Sequence, residues 1–402
     1  MRNSIKNYSI SFLFGICFLG CKQEVPSEAI ESNSFIHTYP MPGSQMGTYV
    51  HQTDDGGYLI VGHLESSVSD FSSCESIVIK TDKFGKIENQ QIFKDSMRWP
   101  AVIKLRDENY LAVGAWAGSF WKFDKNGNLL FRNYIDKRLS DYSPPFEDEN
   151  GNLLVSYSRG GYQGTGGYNY LLTYSATGSL LNTKTVLDAQ IGYKVVTMNL
   201  FDAHDGQNYY FVGTALTNKS WNWADNADSY LFKWTIINNK IVSKKVTLLD
   251  TVSYNLTTNL SINYANKTSV LFINQANLQF TNFNGLLCMV DTNLNVLWKK
   301  IIKIDGSSTY VHGLFKALNG NILACGHYFI NNKKQAFATL ISSDGVVIWN
   351  KIYNTTYSCI INTGEQLADG SFVFVGNTSS FGNGDNEADI FIIKTDQNGS
   401  LK

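Results

Sequence analysis

The sequence predicts an all-β fold, a seven-bladed β-propeller of four-stranded antiparallel blades. Three observations carry this: one strand pattern recurs seven times, a tight turn precedes each copy, and the two chain ends are truncated in complementary ways. The anchor is an apolar strand ending near glycine, as GYLIVG (57–62), NYLAVG (109–114), GNLLVS (151–156), NYYFVG (208–213), TSVLFIN (268–274), GNILACG (320–326) and GSFVFVG (370–376). A spacing of roughly fifty residues is the period of propeller blades. Asp-Gly and Asn-Gly pairs before the copies, as at Asp55-Gly56 and Asp369-Gly370, favour hairpin turns.

Each anchor is followed by a loop, a second apolar strand with its own turn (SIVIKTDKFGK, IFIIKTDQNGS) and a further strand, which makes four strands, A to D from the inside out. The seventh copy stops at Lys402, where its strand D should begin, while the piece SFIHTYPM (34–41) lies ahead of the first strand A. That N-terminal strand is expected to complete blade seven and close the ring, so that residues 34–402 form one propeller. Closure also removes the open sheet edges that invite aggregation.

The first residues read differently. Arg2 and Lys6 precede an apolar run over 10–19, long enough for a signal-peptide core and too short to span a bilayer. Phe18-Leu19-Gly20-Cys21 resembles the lipobox of bacterial lipoprotein signals. The resemblance implies a signal peptide over 1–20, lipidation of Cys21, and a flexible tether over 21–33 that holds the domain at a membrane. The expected location is the cell envelope, at the outer membrane, facing either the periplasm or the cell surface.

Composition narrows the function classes. Lys and Arg number 33 against 34 Asp and Glu, so nothing in the charge calls for a nucleic-acid partner. Aromatics at 13% with only six prolines suit a secreted all-β chain. With Cys17 in the signal and Cys21 lipidated, Cys74, Cys288, Cys325 and Cys359 remain, in a spacing that outlines no compact disulfide framework. Buried free thiols are expected instead.

The repeat T-x-D-G-G-Y-x-x-x-G with I-K-T-D-x-x-G, best matched by 53–62 and 79–85 and echoed by 393–399, resembles that of secreted and lipidated β-propeller proteins of the Bacteroidota. This implies a propeller in the envelope and names no ligand. A monomeric domain is expected, and with neither a vicinal cysteine pair nor a calcium-binding constellation in the sequence no cofactor is expected.

In a repeat protein, residues at equivalent places serve the blade, and function is sought where copies differ. Asp82, Asp124, Asp291 and Asp396 all belong to turns between strands C and D, and read as turn formers. His51 and His312 sit in matching Tyr-Val-His segments, and His63 and His327 in matching Gly-His pairs, which reads as shared ancestry. No spaced His or Cys set points to a metal.

An aromatic stands near the start of every strand A: Tyr49, Trp99, Tyr142, Tyr193, Tyr254, Tyr310 and Tyr357. These rings either wedge between neighbouring blades or form a stacking funnel at the channel mouth. The loops from B to C are long and unlike one another, and they carry Phe71, Tyr162, Trp221, Trp223 and Phe381. Varied loops on a repeated scaffold point to a non-enzymatic binding or assembly module with a glycan or an envelope protein as partner. The competing expectation is a propeller-type glycoside hydrolase or polysaccharide lyase, although no catalytic motif identifies its residues.

Overall fold

The computed structural model describes residues 34–65, 74–94, 97–116, 119–134, 141–142, 144–159, 168–187, 194–202, 208–216, 227–237, 240–250, 255–263, 268–276, 283–331, 333–353, 358–379 and 388–401. It is an all-β propeller of antiparallel blades. Among the described residues the strands pair into seven sheets, six of four strands and one of five, and nearly every hydrogen-bonded neighbour is also a neighbour in sequence. Sheet one shows the pattern: Ser44–Gln52, Tyr58–Glu65, Cys74–Thr81 and Ile87–Phe93 are its strands A to D.

Inner strands of successive sheets touch. Ser44–Gln52 meets Met97–Lys104 of sheet two on one side and Cys359–Gln366 of sheet seven on the other. The exception to sequence order is also at that seam. Phe35–Tyr39 is the outer strand of sheet seven, antiparallel to Asp389–Thr395, with Phe35 opposite Lys394 and Tyr39 opposite Ile390. Tyr39 then donates its hydroxyl to the Gly85 carbonyl of sheet one at 2.7 Å, tying the first strand across the seam.

The core is a set of wedges between facing sheets. Tyr58, Ile60 and Ile79 of sheet one pack on Val373, Val375 and Ile392 of sheet seven, and Leu59, Val61 and Val78 pack on Tyr110, Ala112 and Trp121 of sheet two. Alternate residues of a strand point to opposite faces, so strands B and C, covered on both, are apolar over most of their length, with buried polar residues such as Lys80 and Asp389 near their ends. Asp389–Thr395 is buried at every position, whereas the outer strand Ile87–Phe93 is mostly exposed. Cys74, Cys288, Cys325 and Cys359 are buried thiols.

The aspartates of the C-to-D turns hold their own backbone. Asp82 Oδ1 accepts the Phe84 and Lys86 N–H groups at 2.9 Å each, and Asp124, Asp291 and Asp396 accept the same two amides of their turns. Sheet three departs from the pattern because Pro144 and Pro145 interrupt its inner strand, lacking the N–H groups the ladder needs. The strand survives as Asp141–Tyr142 and Phe146–Glu147, both paired to Leu153–Arg159.

Candidate binding face

In a four-stranded antiparallel sheet the start of A, the end of B and the start of C share one face. That face carries the chemistry here, because the inner strands do not run straight into it. The pairing of A with B slips between Gly47 and Tyr49, Arg98 and Ala101, Val311 and Gly313, and Ile361 and Thr363. Each slip leaves extra residues in strand A, a bulge that kinks the strand and re-aims its side chains. It also explains the repeated glycine of strand B. A Cβ on Gly62 would strike the Met46 carbonyl oxygen, and one on Gly326 the equivalent Tyr310 carbonyl oxygen, so only glycine fits opposite the bulge.

In sheet two the bulge is Trp99-Pro100. Trp99 has φ 47°, a left-handed backbone that costs a bulky residue about 1–2 kcal/mol, and its ring is 43% exposed. The Arg98 guanidinium lies 4.2 Å from the centre of that ring, and Arg98 Nε donates to Glu65 Oε1 at 2.7 Å. Glu65 ends strand B of sheet one, so the ion pair spans the seam. His63 Nε2 stands 3.5 Å from the same oxygen, and the His63 ring meets Trp99 edge-on at 6.3 Å. The contact with His63 and the Arg98 charge hold the Glu65 carboxyl below the usual carboxylate range. Burial lowers the His63 pKa, against the pull of Glu65, and its Nδ1 is buried with no hydrogen-bond partner among the described residues.

Sheet six builds something else at the same height. His312 is its bulged residue, and its Nε2 lies 2.8 Å from His327 Nδ1, a geometry for one shared hydrogen. Tyr310 stacks on His327 at 5.6 Å and 12°, and Phe329 closes the other side edge-on at 5.0 Å. Burial pushes both imidazoles below their ordinary range, with the Lys334 charge adding to it.

The Gly-His pairs of sheets one and six are equivalent, but the Tyr-Val-His segments are not. Tyr310 pairs with His327, whereas the residue opposite His63 is Met46, three places before Tyr49. His51 therefore lies nearer the opposite face, where its Nδ1 meets Glu365 Oε2 of sheet seven at 2.7 Å. The three inner-strand aromatics with described side chains accordingly take three different roles. Tyr49 wedges against Tyr110 of sheet two at 6.1 Å, Tyr310 roofs a histidine pair, and Trp99 faces outward.

Tyr142 pairs with Tyr157, and its side chain lies outside the described residues. Also outside them are Tyr193, Tyr254 and Tyr357, the loop aromatics Phe71, Tyr162, Trp221, Trp223 and Phe381, and Cys21. Sequence reasoning passed over Glu65 and Arg98, and read His63 as shared ancestry with His327. The signal for them was the unique Arg-Trp-Pro at 98–100, where the other copies have tyrosine.

No group of three or more His, Cys, Asp or Glu suited to a metal occurs among the described residues. No family model matches the chain, and no curated protein matches it. Solved structures do share its fold. The chain resembles polysaccharide lyase Uly1 with a TM-score of 0.50 at 11% identity over 93% of this chain and 94% of that one. It resembles streptogramin B lyase with a TM-score of 0.48 at 11% identity over 90% and 98%. A protein of unknown function from Bacteroides caccae matches with a TM-score of 0.44 at 10% identity over 80% and 97%. At such identities the likeness concerns the fold alone, and the chain is a β-propeller of four-stranded antiparallel blades.

Proposed function

We propose that this chain is a non-enzymatic binding module of the cell envelope, a seven-bladed ring anchored through a lipid on Cys21, that holds a glycan on the face carrying Trp99. The repeat and the lipobox-like segment 18–21 resemble those of secreted and lipidated propellers of the Bacteroidota and support this reading; the ring takes each of the seven sheets as one blade. The observation that carries the binding role is Trp99, an exposed indole on a left-handed backbone, with Arg98 locked across it by Glu65. Such strain persists where surrounding structure over-determines it, and functional sites are where it collects. A rigid indole offers a flat apolar surface for a sugar ring, and the Arg98 and Glu65 pair beside it supplies donors and acceptors for hydroxyls.

The test is a glycan array probed with the wild-type protein, Trp99→Ala and Arg98→Ala. Wild-type binding to a defined polysaccharide, reduced at least about tenfold by Trp99→Ala, supports the reading; a loss of about 1.4 kcal/mol corresponds to that factor. Binding indifferent to Trp99 would defeat the proposed surface. Steady release of shortened or unsaturated sugars from the bound polysaccharide would replace the binding module with an enzyme.

A further inference from the structure

We infer that the opposite face of the ring, carrying the C-to-D turns, rests on the lipid bilayer and is a membrane-docking surface. This rests on the lipid-anchor reading above and deepens it from a tether to an orientation. The first observation is apolar. Just at or after the C-to-D turn, successive sheets expose a large hydrophobic side chain: Phe84, Leu130, Leu181, Ile237, Leu297 and Val346 are each 42–58% exposed. Sheet seven adds Leu401 at 39%. Scattered apolar residues on a surface need no explanation, but every sheet places one beside its C-to-D turn, so that this face carries an apolar side chain at each turn, although the outer strands also expose Ile92, Tyr134 and Ile301 toward their other end.

The second observation is where the chain enters. Phe35 pairs with Lys394, at the C-to-D end of strand C, and Tyr39 pairs with Ile390 toward the other end. Ser34 therefore leaves sheet seven on the face with the apolar rim, beside the sheet-one turn that Tyr39 grips at the Gly85 carbonyl. Between Cys21 and Ser34 lie 12 residues of mostly polar sequence with one proline, Pro26. Such a chain has a mean reach of roughly 20 Å, which draws this face, and not the Trp99 face, to the bilayer.

The third observation is charge at the entry turn; elsewhere on this face the exposed Asp54 and Glu108 carboxylates are paired with Lys125 and Lys104. At the turn next to the entry point the Asp82 carboxylate points inward to its own amides. The exposed Lys83 and Lys86 remain outside, with the Lys83 ammonium 4.8 Å from the centre of the Phe84 ring. An apolar ring flanked by ammonium groups fits the boundary between acyl chains and anionic headgroups. Docked in this way, the ring turns the Trp99 face away from the membrane.

The experiment uses the full acylated protein in vesicles of phosphatidylethanolamine and phosphatidylglycerol. Leu130→Cys and, as the opposite-face control, Ile330→Cys each receive one environment-sensitive fluorophore. Ile330 is 46% exposed at the end of strand B, and the four native thiols of the ring are buried. Acyl-brominated lipid should quench the label at 130 severalfold more than that at 330. Mass measurement of the Cys21 peptide and flotation of the vesicles read the anchor separately. An acylated, floating protein whose two labels are quenched equally, or not at all, overturns the docking face and leaves the anchor standing. A chain without acyl groups that fails to float overturns both.

Discussion

Sheets one and six carry the same Gly-His pair at the end of strand B, yet the two histidines live in opposite surroundings. His63 sits beside a carboxylate and a guanidinium that cross to sheet two and brace an exposed Trp99. His327 faces a second histidine and two aromatic rings within its own sheet. The scaffold is common to both: the same glycine, the same carbonyl opposite it, and a bulge in the same strand. What differs is the residue delivered by the bulge and its neighbours. A rigid repeat thus fixes a place, and one or two substitutions turn that place into either packing or a surface.

Three changes would break or sharpen this contrast. The largest effect is expected where the two sheets agree. Gly326→Ala puts a methyl into the Tyr310 carbonyl, as Gly62→Ala does at Met46, and each should lower stability by about 3 kcal/mol in denaturant unfolding. A cost near that of an ordinary surface substitution would show that the bulge yields.

The next concerns the sheet-six pair. Burial lowers both pKa values in the folded state, so below about pH 6.5 the unfolded chain binds more protons and stability falls with falling pH. His327→Phe should flatten that slope by at most about 1.4 kcal/mol per pH unit, read from unfolding midpoints between pH 6.5 and 4.5. An unchanged slope would assign the acid sensitivity elsewhere.

The smallest stability effect is expected at Trp99. Trp99→Gly relieves a left-handed strain of about 1–2 kcal/mol and gives up a cation–π contact of about 0.5–1 kcal/mol. With the buried part of the indole and the extra freedom of glycine in the unfolded chain set against that relief, the unfolding midpoint should change little while glycan binding is lost. Loss of both together would make Trp99 a structural residue.

Much of the fold was legible in the sequence. Four strands per repeat follow from turn residues and apolar runs whose spacing leaves little freedom, and the inward-turned Asp82, Asp124, Asp291 and Asp396 are turn formers as their recurrence implied. The place of 35–39 beside sheet seven was legible because the two chain ends lacked complementary pieces. The split inner strand of sheet three could be read from Pro144-Pro145, but the expectation of a regular strand around Tyr142 overlooked it.

The candidate site was less legible, because a bulge inserts a residue without any mark in the local pattern. Tyr49-Val50-His51 and Tyr310-Val311-His312 look alike, yet they are three residues out of register, and a shift by an odd number sends side chains to other faces. Trp99 was singled out for its type, but its exposure comes from the bulge. Nor does sequence distance place Glu65 beside Arg98: the two are 33 residues apart and meet only because neighbouring sheets do.

By itself, then, the sequence determined the repeat, its turns, the strand that bridges the first and last sheets, and the alternation that buries strands B and C. These are local preferences summed over many copies, and they need no knowledge of distant contacts. The tertiary structure alone decided which histidine meets a carboxylate, which aromatic faces outward, and on which face the chain enters the ring. Those outcomes depend on one-residue slips and on the seam between sheets, where side chains from separate repeats are brought within hydrogen-bond distance.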